Sequence, residues 1–162
     1  MAVVLKHPQS LPATYYRYIG EVVFRWTLVE EHMQTIIWHV MGLDWKQGRL
    51  LTFGSDASQK IDMFRGLALN SISKKQIQRK INSIASRADK LNTRRNRVVH
   101  GTWGYKSNPK DLRLFYIANV KQRITPKTEK KNANDLMKIA SDIGDLDARL
   151  IALHEVLGVP IP

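Results

Sequence analysis

The chain contains no cysteine among its 162 residues, which excludes disulfides, zinc–thiolate centres and thiol chemistry. It has no apolar run approaching the roughly 18 residues that a membrane span needs. Glycine and proline are sparse, at 9 and 6 residues, and they form no phosphate-cradling loop, low-complexity tract or internal repeat. No serine-hydrolase signature is present. The N-terminus "MAVVLKHPQSLPATYY" meets Pro8 and Pro12 early and lacks a signal peptide's apolar core. These absences lead to an expectation of a cytoplasmic protein with no membrane partner and no cofactor. The length predicts one domain, 1–162, with room for a real core.

Acidic residues are scarce too. Lys and Arg number 26 against 14 Asp and Glu, a net charge of +12. The excess is concentrated. Residues 74–97 carry Lys74, Lys75, Arg79, Lys80, Arg87, Lys90, Arg94, Arg95 and Arg97 against Asp89 alone. Residues 121–131, "KQRITPKTEKK", add a further +4, while the segment from 132 is acidic by 3. A field this local suits a polyanion, with a phosphate backbone the leading case. A merely solvated basic surface is the alternative.

Periodicity predicts an all-α fold: an antiparallel bundle of about four main helices with a small β-hairpin after the third. In the first helix, about 12–42, Ile19, Val22, Trp26, Val29, Met33, Ile36 and Val40 repeat at alternating spacings of three and four. The second, about 56–70, opens on Asp56 with Gln59 in capping-box spacing and buries Ile61, Phe64, Leu67 and Ala68. The third starts at Ser73 with Gln76 three later, and Gly101 ends it. "TWGY" and "LRLFYIANV" read as strands of a hairpin over about 102–120, followed by a basic loop over about 121–133. The last helix, capped by Asn134, carries Leu136, Ile139, Ile143, Leu146, Leu150, Leu153 and Leu157. "GLDWKQGRLLTFGS", between the first two helices, reads as a loop or loose helical turn.

The stripe of the third helix runs Ile77, Ile81, Ile84, Ala88, Leu91, then Arg95, then Val98. Arginine therefore stands where an aliphatic residue is due. A guanidinium aimed into a bundle needs an acid or an anionic ligand, because burying it alone costs several kcal/mol. Glu30, beside the seam of the first helix, is the best acid in the chain for a structural ion pair. Alternatively Arg95 grips a phosphate. His100 follows five residues later, about 140° round an ideal helix, whereas Asn96 lies four before it and shares its face. Convergence of Arg95 with His100 needs a loosened helix end or a second copy of the chain. Such a pair suits phosphodiester cleavage, the histidine moving protons and the arginine stabilising developing charge. RNA brings its own 2′-OH nucleophile, so no metal is required. No metal site is expected: His32 and His39 lack further ligands, and with His7 and His154 they read as surface or packing residues.

"RNRVVH", Arg95 to His100, resembles the R-x4-6-H motif of HEPN domains, including the polar residue directly after the Arg. The helical bundle, the motif at the end of the third main helix and the final helix behind it agree with that family. The resemblance implies a metal-independent endoribonuclease, of a kind found as toxins, in antiviral defence or in RNA processing. It implies a homodimer in which two motifs meet at one cleft, and a cognate antitoxin or regulatory protein as a further partner. Carried over, Arg95 and His100 are catalytic and Asn96 orients His100 or the scissile phosphate. Other members are non-catalytic and bind nucleic acid or protein, which is the alternative here. The hairpin matches no particular subfamily. For RNA binding the candidates are Lys74, Lys75, Arg79, Lys80, Arg87, Lys90, Arg94 and Arg97, with Trp103 and Tyr105 stacking on unpaired bases. Cross-strand packing is the competing role for the two aromatics.

Overall fold

A computed structural model describes residues 6–105, 108, 110–120 and 123–162. Half of the expected "KSNPKD" turn, and Lys121 and Gln122 of the expected basic loop, lie outside the described residues. The order is α1 (Ala13–Val40), α2 (Trp45–Thr52), α3 (Ala57–Asn70), α4 (Lys75–His100), β1 (Thr102–Gly104), β2 (Arg113–Val120), β3 (Arg123–Lys130) and α5 (Ala133–Leu157). The fold is mostly helical, as expected, with a small sheet after the fourth helix.

The long helices form where aliphatic stripes need covering, and polar signals set their ends. Pro12 precedes α1, and its carbonyl accepts the Tyr15 amide at 2.9 Å. Gly42 closes α1 with φ of 68°, a left-handed conformation that costs glycine little. The Asp56–Gln59 box caps α3 as the sequence implies, with bonds of 2.8 and 2.9 Å. The same chemistry occurs at Asp44 and Gln47, so "WKQGRLLT" is a true helix, α2. Gly48 lets it lie flat on an indole, since a Cβ there would stand 2.3 Å from Trp38 Cγ. Two expected caps shift. The first turn of α4 closes on Lys74 O, and Gln78 reaches back to Ile72 O at 2.6 Å. In α5, Asn132 and Asp135 cap reciprocally at 2.9 and 3.0 Å, in place of Asn134.

The hairpin is one strand short of the sheet observed. β1, β2 and β3 form a three-stranded antiparallel sheet in that order. β3 replaces most of the expected basic loop. Its register pairs Arg113 with Lys130 and Ile117 with Pro126, so all eight residues of β2 find a partner. Pro126 is tolerated because β3 is an edge strand, and exposed Lys127 and Lys130 blunt that edge against further pairing.

The chain divides into two compact units. One comprises Phe24–Asn92 with Ser141–Pro162, the other Met1–Val23 with Thr93–Ala140. In the first, Trp26, Met33, Ile36, Phe64, Ile81, Ile143 and Leu146 are essentially inaccessible to solvent. His32 and His154 are buried there too: His32 Nδ1 lies 3.1 Å from His154 Nε2, and His154 Nδ1 lies 3.0 Å from Pro160 O. This is the packing role expected of them. In the second unit Val98, Leu114, Leu136 and Ile139 are buried.

Candidate active site

The site is built by the last turns of α4 and by β2, both in the 93–140 unit. α4 stays α-helical through His100, and the Gly101 amide still bonds to Arg97 O at 2.9 Å. Spacing then places Asn96 and His100 on one side, where both line a cleft of about 550 Å³. The opposite wall is Phe115, Tyr116, Ile117 and Ala118 of β2. Gly101 is what lets the two walls approach. A Cβ on it would lie 2.3 Å from Arg97 O and 2.9 Å from Phe115 O, so any larger residue would push strand from helix. The cleft is of the size that small-ligand sites occupy.

The groups in it are in different states of commitment. His100 is exposed, and no side-chain hydrogen bond engages its ring among the described residues. Asn96 Oδ1 accepts Arg95 Nη1 at 2.8 Å, which orients the carboxamide and leaves its Nδ2 donors for a ligand. Arg95 is half-buried, and its Nε is buried without a hydrogen-bond partner among the described residues. Its guanidinium thus retains donor capacity that Asn96 does not use. Glu30, weighed as its acid, has its carboxylate committed within the other unit. Trp26 Nε1 donates to Oε1 at 2.6 Å, and Lys60 Nζ to Oε2 at 2.7 Å.

Arg95 does not line the His100 cleft. With α4 regular to its end, the two side chains leave the helix on different faces, as their spacing requires. The loosening that would bring them together within one chain does not occur.

Arg97 lines the cleft but is largely spoken for. Its guanidinium sits 4.5 Å from the Tyr116 ring centroid, and its Nη1 lies 3.4 Å from Glu129 Oε1. Tyr116 donates its hydroxyl to the same oxygen at 2.5 Å, and Lys131 Nζ holds Glu129 Oε2 at 3.0 Å. The hydrogen bond to Glu129 raises the Tyr116 pKa above that of an ordinary phenol, with burial adding to it. Conversely, the Tyr116 hydrogen bond holds Glu129 below the usual carboxylate range. At neutral pH the phenol is therefore protonated and the carboxylate charged, and this fixes the Tyr116 wall. Arg94 lies beside a smaller cleft of about 250 Å³ with Val98, Leu114 and Glu129.

Trp103 makes packing contacts within the unit. Its ring meets Tyr15 edge-on at 5.5 Å, and its Nε1 donates to Val98 O at 3.4 Å. Tyr105 is tied through its backbone to Lys6 by two bonds of 3.0 Å. The remaining cationic candidates belong to the other unit. There Lys74, Lys75, Arg79, Lys80 and Lys90 are exposed, while Arg87 lies 3.6 Å from Asp145 and 3.9 Å from Asp142. The expected basic stretch is thus divided between the two units.

Phe115, Tyr116, Ile117 and Glu129 were not anticipated as site residues. A local hint is Ile117, an isoleucine 74% exposed on β2. Compared with protein-family models, curated proteins and solved structures, the chain matches none.

Proposed function

We propose that the chain is a HEPN-type, metal-independent endoribonuclease whose active cleft is completed by a second copy. What carries this reading is the cleft that Asn96 and His100 share, with an unengaged imidazole and a carboxamide oriented by Arg95. In the reaction, the 2′-OH loses its proton to a neutral His100 imidazole as its oxygen bonds to phosphorus. The P–O5′ bond breaks, and a protonated imidazole gives the leaving oxygen its proton, so that one end becomes a 2′,3′-cyclic phosphate and the other a 5′-OH. Asn96 Nδ2 and the spare Arg95 donors stabilise the charge that grows on the phosphoryl oxygens. Because Arg95 and His100 leave α4 on different faces, the guanidinium and imidazole at one phosphate come from different copies. The two imidazoles of a dimer then supply the base and the acid. A toxin or defence role, and an antitoxin-like partner, would be consistent with such an activity.

The test is purified protein with RNA in EDTA, read for cyclic-phosphate ends. His100→Ala, at an exposed position, should fold normally and lose about 10²- to 10⁴-fold in rate. Equal rates in both proteins would contradict the proposal. One observation favours a second reading: within one copy, Arg95 is absent from the cleft. A non-catalytic binding module would give salt-dependent RNA association, intact product lengths and little response to His100→Ala.

A further inference from the structure

A second cleft, of about 420 Å³, lies between α4 and α5 wholly within the 24–92 and 141–162 unit. Its floor is aliphatic: Ile84 and Leu153 are buried there, and Ala152 stands beside them. Arg79, Lys80 and Arg149 surround that floor, and no carboxylate lines it. Lys60, Arg65 and Arg87 each face an acid: Glu30 for Lys60, Asp62 and Asp89 for Arg65, and Asp142 and Asp145 for Arg87. Among the described residues Arg79, Lys80 and Arg149 have no ion-pair partner, as is also true of Lys74, Lys75 and Lys90, and what sets the three apart is that they line one cleft. Three like charges repel one another across an apolar floor unless an anion joins them.

We propose that this cleft binds a small anionic amphiphile, an aliphatic chain ending in a carboxylate or phosphate, independently of any cleavage at the His100 cleft. The head group meets the guanidinium of Arg79 or Arg149, which matches an oxyanion bidentately, with Lys80 adding a point charge. The chain lies on Ile84, Ala152 and Leu153. No aromatic ring lines the cleft, so a nucleobase has nothing to stack on, and this favours an aliphatic body over a nucleotide. The volume falls within the range of small-molecule sites. Arg79 and Lys80, counted from the sequence as contacts for a polynucleotide, acquire a different ligand.

The experiment is a titration of the whole chain with decanoate, below its micelle-forming concentration, followed by backbone amide chemical shifts. Inorganic phosphate, decylamine, decyl phosphate and a single-stranded RNA oligomer are run alongside. Decanoate should saturably shift Gln76, Ser83, Ile84 and Ala152, binding about tenfold or more tightly than phosphate, decylamine or the oligomer. The double variant R79Q/R149Q, altered only at exposed positions, should keep its circular dichroism spectrum and weaken decanoate by about tenfold or more. The ratio of decyl phosphate to decanoate affinity identifies the preferred head group. Phosphate or RNA matching decanoate at these amides would mean that the cleft reads charge alone. Decylamine matching it would mean that it reads apolar surface alone. Either result, or undiminished binding by R79Q/R149Q, overturns the proposal.

Discussion

The two halves of α4 obey different rules. From Ile81 to Leu91 every position of the inward stripe is aliphatic and buried: Ile81, Ile84, Ala88 and Leu91 are all at most 5% exposed. From there to His100 the stripe admits Arg95, half-buried and, among the described residues, hydrogen-bonded through its side chain only to its neighbour Asn96, before buried Val98 resumes it. The charges on the two halves differ as well. Arg87 and Arg95 each keep a buried Nε without a hydrogen-bond partner, but Arg87, in the first half, lies near Asp142 and Asp145, whereas Arg95 has no ion-pair partner among the described residues. An aliphatic stripe contributes stability through area removed from water. A guanidinium in the same stripe is a cost to folding unless a ligand meets it. The first half of the helix packs, and under the function proposed above the second half presents the chemistry.

That comparison can be broken in steps. The largest expected stability effect is Ile81→Ala, at a fully buried position, which should cost about 2–5 kcal/mol in urea denaturation. A loss below about 1 kcal/mol would mean that the first half is not the packing segment it is described as. Next comes Gly101→Ala, where the new methyl meets the Arg97 and Phe115 carbonyls. It should cost about 1–3 kcal/mol and also lower RNA cleavage, by moving His100 relative to β2. The smallest effect concerns pH. His32 is held below the ordinary imidazole pKa chiefly by burial, with the neighbouring His154 acting in the same direction and Asp147 and Glu31 opposing. A lowered folded-state pKa means the unfolded chain binds the proton more readily. Stability from this group is therefore complete above about pH 6.5, and is lost as pH falls from there through the lower folded-state value. The melting temperature should fall across that window, and His32→Gln should flatten the slope. A melting temperature that rises on acidification across it would reverse the assignment.

Much of this architecture is legible in the residues because its signals are local. The stripes of α1, α4 and α5 follow from spacing alone, as does the shared face of Asn96 and His100. The Asp56–Gln59 box is visible at the same range, and the equivalent Asp44–Gln47 pair could have revealed α2. What escapes is set by contacts distant in sequence. "RITPKTEK" has no apolar alternation and becomes a strand only because β2 offers eight residues to pair with. The β2 wall of the cleft depends on Gly101 permitting close approach, and nothing near Tyr116 announces its bond to Glu129. Glu30 was read by its place beside the seam of α1. Its partners are Trp26, one turn earlier, and Lys60, thirty residues later, of which only the first is a local contact.

The most direct test of the division within α4 is Arg95→Met, assayed together for urea midpoint and for RNA cleavage in EDTA. Methionine keeps much of the stem and removes the charge. The account predicts an unchanged or higher midpoint, with cleavage reduced by about 10²-fold or more. A sharply lower midpoint with undiminished cleavage per folded molecule would show that Arg95 serves the fold, and would contradict it.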